Sequence, residues 1–108
     1  MDRVIGSLQA LDSNCSADLI QMSSATLRKV SGKNISHEDI VKCWLEELEK
    51  SSIGKELSFL YVANDVVQKM VMRNLGKEFA IEFGYVLGNA IESSVIRNPS
   101  IKPFSYII

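Results

Sequence analysis

The amino-acid sequence predicts an all-α protein, a layered right-handed array of about five to six helices. Apolar residues recur at helical spacing in five segments, and no strand-like alternation competes with them. Short polar connections separate those segments, as between helices packed side by side. A chain of 108 residues with 46% hydrophobic side chains fits one small domain with its own core.

The first predicted helix carries Val4, Leu8 and Leu11 and ends at Asp12-Ser13-Asn14, whose side chains compete for backbone hydrogen bonds. Ser16 then caps a second helix, with Asp18 in its first turn, apolar positions at Ile20, Leu27 and Val30, and a stop at Ser31-Gly32. Ser36-His37-Glu38-Asp39 is a further capping signal, and the third helix runs through Ile40, Val41, Trp44 and Leu48 to Ser51-Ser52-Ile53-Gly54. A fourth spans about Leu57 to Arg73. The fifth follows Asn74-Leu75-Gly76 with Phe79, Phe83, Val86, Leu87, Ala90 and Ile91 on one stripe. The pattern breaks in the tail from Asn98-Pro99 onward.

The composition excludes several classes of function. A formal net charge of -1 gives no global attraction to nucleic acid or to an anionic membrane, so anion binding has to be local. No apolar stretch approaches the length of a membrane span, and Met1-Asp2-Arg3-Val4-Ile5 lacks a secretory apolar run. Cys15 and Cys43 have no metal-ligand spacing and read as buried or half-buried thiols of a reducing compartment. His37, the only histidine, reads as a solvated first-turn residue, and neither a phosphate loop nor a nucleophile elbow occurs, so no catalysis is expected. Glu46, Glu47 and Glu49 read as a solvent-facing charged surface and not a metal site, and no cofactor is implied. Trp44 reads as a core anchor whose indole N–H needs a partner.

The fourth helix is the most informative. At ~100° per residue, Phe59, Leu60, Ala63, Val66, Val67 and Met70 form one broad packed arc. Tyr61, Asp65, Gln68 and Met72 project on the opposite side, flanked by Asn64 and Lys69. Asp65, one turn after Tyr61, can accept a hydroxyl hydrogen bond while the ring supplies apolar contact; a plain solvated surface is the competing reading. Lys69, Arg73 and Lys77 recur every four residues, as a basic strip for phosphate or as charge balance near Glu78 and Glu82.

From Ile40 through Leu87 the chain resembles the CTD-interacting domain (CID) family, especially the branch in regulation of nuclear pre-mRNA domain-containing proteins. The resemblance is carried by Ile40-Val41, Trp44, Glu47-Leu48 and Lys50, by the run Leu57 to Gln68 with Asn64-Asp65 at its centre, and by Glu78-Phe79, Glu82-Phe83 and Val86-Leu87. Ser16 and Arg28-Lys29 match more weakly, and Ser23 stands where the family commonly has a bulky aromatic.

The resemblance implies an ENTH/VHS-like right-handed superhelix whose second, fourth and seventh helices form a groove for the phosphorylated tail of RNA polymerase II, with repeats of Tyr-Ser-Pro-Thr-Ser-Pro-Ser. It implies that Asp65 hydrogen-bonds the repeat's tyrosine hydroxyl, that Tyr61, Asn64 and Val66 shape the adjoining pocket, and that Ser16 forms the neighbouring edge. Gln68, Lys69 and Arg73 follow along the groove. In the family further helices supply an arginine for a phosphorylated serine, for which this chain, ending at Ser105-Tyr106-Ile107-Ile108, has no match; Arg97 fits no family motif. The expected organisation is therefore a domain over 1–97, truncated relative to the family at its C-terminal end, and a divergent tail over 98–108.

The implied role is a nuclear, non-enzymatic binding module in transcription regulation or pre-mRNA 3'-end processing and termination. Its partner would be the polymerase repeat peptide, with transcript-processing factors or CTD phosphatases as further partners, and neither nucleic acid nor membrane. The alternatives are a VHS/ENTH-like membrane-trafficking adaptor and a binding-deficient CID fragment.

Overall fold

The computed structural model describes residues 1–31, 35–72 and 77–105. Along the chain lie α1 (Asp2–Gln9), α2 (Ala17–Val30), α3 (His37–Lys50), α4 (Glu56–Met72) and α5 (Lys77–Arg97), then a 3-10 turn (Pro99–Ile101) and a one-turn α6 (Lys102–Ser105). The fold is all-α, as the periodicity predicts.

Packing follows from the apolar faces. α4 lies between α2 and α5, while α1 packs on α2 and α3, and α3 packs on α5. Trp44 of α3 is fully buried and donates its indole N–H to the Phe59 carbonyl of α4 at 3.0 Å, the partner that its burial requires. Its ring meets Phe83 edge-on at 5.4 Å, and Phe83 stacks on Phe79 at 5.3 Å. Each such buried aromatic contributes about 1.5–3 kcal/mol of transfer free energy. His37 lies near Phe79 and Trp44 near Phe83, so α3 and α5 run in the same direction, with α4 antiparallel to both.

Where the chain departs from one-face periodicity, polar groups account for it. Ser36 caps α3 as expected, its Oγ accepting from the Asp39 N–H at 3.1 Å. Ser16 holds the N-cap position of α2, but its hydroxyl makes no cap; it donates to Asp12 Oδ2 at 2.6 Å. That bond and the backbone N–H groups of Ser16 and Asn14 hold the Asp12 carboxyl below its ordinary range. His37 is half-buried, bonded through Nδ1 to the Ser31 hydroxyl and packed on Phe79, which corrects its reading as a solvated residue. Glu47 is likewise corrected: it is buried and accepts from Gln9 Nε2 at 2.9 Å, joining α3 to α1, while Glu46 and Glu49 are exposed. Ser23 is fully buried with its hydroxyl 3.1 Å from that of Ser7, so two small side chains fill the α1–α2 contact.

One ion pair closes the far end. Glu56, fully buried in the first turn of α4, accepts from the Gly54 N–H at 2.8 Å and from Asn98 Nδ2 at 3.1 Å through Oε1. Its Oε2 lies 2.8 Å from Arg97 Nε, at the end of α5. The remaining Arg97 nitrogens donate to the carbonyls of Leu48 and Glu49 in the last turn of α3 and of Ser51, its C-cap. Gly54 turns the chain into α4 at φ 114°, a left-handed conformation that favours glycine. The segment read as a divergent tail also takes part: Ile101 is buried in the core.

Burial pushes the Glu56 carboxyl up, but the hydrogen bonds and the Arg97 charge outweigh it and hold the group below its ordinary value of 4.5. Its stabilising contribution is therefore complete above that value and is lost as pH falls through the lower folded-state one. In urea titrations Arg97→Met, which strands the buried carboxylate, is expected to cost about 3–5 kcal/mol at neutral pH. Glu56→Gln should flatten the stability loss of the wild type below about pH 4.5. An acid limb equally steep in Glu56→Gln contradicts this assignment.

Candidate peptide-binding face

α4 has neighbours on two sides, so its buried arc is wider than the predicted one. Phe59, Leu60, Ala63 and Val66 are buried as expected, and Val62, Ser58 and Glu56 join them. What remains is a narrower strip: Tyr61 and Asn64 half-buried, Gln68 exposed and Met72 84% exposed. Asn64 Oδ1 accepts a long 3.5 Å hydrogen bond from Gln68 Nε2, so these two amides sit one turn apart on the same surface.

Asp65 does not project freely from that strip. Its side chain is 25% exposed and lies at the edge of the buried arc, with Oδ2 3.1 Å from the Lys69 ammonium. Oδ2 is enclosed and has no directed hydrogen-bond donor, the Lys69 contact being an ion pair without hydrogen-bond alignment. That oxygen is closed to an incoming ligand, so the exposure of the side chain leaves its other oxygen, Oδ1, to accept from an O–H or N–H donor. Beside it, the half-buried Tyr61 supplies aromatic surface one turn earlier.

The other expected residues are placed as follows. Val66 is fully buried, so its reading as a surface-shaping residue is corrected: it backs the strip from inside the core. Lys69 is paired with Asp65. Lys77 starts α5 and so does not continue a strip along α4. Arg73 lies outside the described residues. Ser16 is half-buried at the start of α2 and reaches α4 through Asp12, whose carbonyl accepts from the Ser58 hydroxyl.

In the sequence Asp12 reads only as a helix-ending side chain and Ser58 only as part of the family run, although together they fix the start of α2 against α4. The signal available was the Asp12-x-x-x-Ser16 spacing, which closes a carboxylate-capped turn. Cys43 is buried and Cys15 half-buried, as expected. Burial and the nearby Glu47 and Glu46 charges push the Cys43 thiol up, away from the reactive thiolate. Among the described residues no cluster of three His, Cys, Asp or Glu could hold a metal ion, and no helix is long and apolar enough to cross a membrane.

This helical array, with an aromatic, amide and carboxylate strip on α4, matches the CID domain family model over residues 2–103, and the chain belongs to that family. The match extends into the segment after 97. The chain is 45% identical over 51 residues to regulation of nuclear pre-mRNA domain-containing protein 1B of Homo sapiens and of Mus musculus, covering 47% of this chain and 15% of each of theirs. It is 40% identical over 53 residues to protein 1A of Homo sapiens, covering 49% of this chain and 16% of that one. The chain thus spans less than a fifth of the length of these relatives. Comparison with solved structures gives no significant match.

Proposed function

We propose that the chain is a binding module for the phosphorylated heptad-repeat tail of RNA polymerase II, acting in the nucleus in transcription regulation or in pre-mRNA 3'-end processing and termination. It positions a peptide and does not catalyse. The observation that carries this reading is Asp65: a half-buried carboxylate with Oδ2 held by Lys69 and Oδ1 left to accept, one turn after the half-buried Tyr61 ring and within a CID-family helix. A tyrosine side chain of the repeat suits that pair, its ring lying on Tyr61 and its hydroxyl donating to Asp65. Asn64 and Gln68 then offer amide hydrogen bonds to the peptide backbone one turn further along.

Lys69 gives the site its response to phosphate. While it neutralises Asp65 it is spent, but a hydroxyl donated to the carboxylate weakens that hold and leaves the ammonium available to a nearby phosphoserine. The names of the relatives, which speak of nuclear pre-mRNA, support the compartment and the process.

Titration of labelled repeat peptides, followed by fluorescence anisotropy, checks the reading. Asp65→Asn should weaken binding about tenfold or more, because a hydrogen bond to a charged group contributes about 1.5–3 kcal/mol. Its thermal unfolding should shift little, since a partly exposed ion pair is worth at most about 1 kcal/mol. Absence of binding by the folded wild-type chain sinks the proposal.

Lys69→Ala should reduce the advantage of serine-phosphorylated over unmodified peptide, and added salt should shrink the same advantage in the wild type. Equal losses for both peptides would show that Lys69 does not read phosphate.

A further inference from the structure

The outward side of α5 carries large apolar side chains: Ile81 is 52% exposed and Tyr85 75% exposed. At about 100° per residue, Lys77, Ile81, Gly84, Tyr85, Gly88 and Glu92 fall within an arc of about 100°. That arc lies opposite the buried Phe79, Phe83 and Ala90. Gly84 and Gly88 are costly choices in a helix interior, and a Cβ at either would meet nothing within 4 Å among the described residues, whose packing therefore does not call for them. Lys77 and Glu92 are exposed at the two ends of this stripe along the helix axis, and neither has an ion-pair partner among the described residues.

We propose that this face joins two copies of the chain, α5 against α5, antiparallel about a twofold axis passing between Gly84 and Tyr85. The partner is fixed by complementarity of the face with itself. In this register Tyr85 lies over Gly84 of the second copy, Ile81 lies over Gly88 of the second copy, and Lys77 comes opposite Glu92 of the second copy. Each large side chain meets a glycine and each charge meets its opposite, twice over by symmetry. A parallel pairing sets Tyr85 against Tyr85, Lys77 against Lys77 and Glu92 against Glu92, so the charges select the antiparallel arrangement. The glycines let the two helix backbones approach closely, which accounts for their presence on an exposed face.

The interface uses none of Tyr61, Asn64, Asp65 or Gln68, so it stands or falls separately from the peptide-binding proposal. One helix face per copy puts it among small, reversible interfaces. Sedimentation equilibrium of the 108-residue chain, at loadings up to about 1 mM, should show a monomer–dimer equilibrium. Tyr85→Ser should abolish it, with circular dichroism reporting an intact helical fold, since the replaced ring is exposed. Lys77→Glu and Glu92→Lys should each weaken the dimer by about tenfold, two symmetry-related pairs being lost at once, and the combination Lys77→Glu with Glu92→Lys should restore it. A chain that stays monomeric throughout overturns the proposal, as does a dimer indifferent to Tyr85→Ser or a charge-reversed pair that does not recover.

Discussion

The buried pair of Glu56 and Arg97 is the constraint on which the arrangement of the last three long helices depends. Periodicity makes helices, but it does not say how the end of α3, the start of α4 and the end of α5 are to meet. One guanidinium settles it by facing a carboxylate on one side and, on the others, two terminal carbonyls of α3 and that of its C-cap Ser51. Removing two charges from water is expensive, and an apolar pair of similar shape could be as stable. What the ions add is direction. A fork of donors satisfied by α3, with a carboxylate that also takes donors from Gly54 and Asn98, accepts one mutual placement of these ends.

That placement sets which side of α4 is left to a partner. With its start pinned and α2 and α5 on either side, α4 turns most of its circumference inward. The strip that remains is short and chemically mixed: an aromatic ring, two amides and, at the margin, a carboxylate held by its own lysine. The Asp12 turn complements this from the other side, clasping Ser16 at the start of α2 and receiving the Ser58 hydroxyl from α4. The candidate site is thus a surface whose edges are fixed by hydrogen bonds from three separate parts of the chain.

Much of this was legible in the sequence, for a definite reason. Helix identity depends on contacts three and four residues apart, which a wheel displays, so the helices, the Ser36 cap and the burial of Trp44 could be read directly. Features that depend on remote partners could not. Glu56 and Asn98 are 42 positions apart, and Ser58 and Asp12 are 46 apart, so nothing local marks them as pairs. The same cause explains why Glu47 looked like surface, when Gln9 on another helix holds it, and why His37 looked solvated, when Phe79 lies against it. The Asn64-Asp65 neighbourhood was identified through family resemblance, but the wheel set Asp65 further outward than it lies, because a wheel does not know how many neighbours a helix has.

The central claim is that a repeat peptide lies along the α2–α4 side with its tyrosine hydroxyl on Asp65. Amide and side-chain chemical-shift changes in the isotope-labelled chain, followed as a repeat peptide is added, test it most directly. The account predicts the largest changes at Tyr61, Asn64, Asp65 and Gln68 and around Ser16, with Asp65 losing its response when the peptide tyrosine is replaced by phenylalanine. Changes centred instead on the groove between α3 and α5, around Leu45 and Val86, or an Asp65 response that survives loss of the peptide hydroxyl, would contradict it.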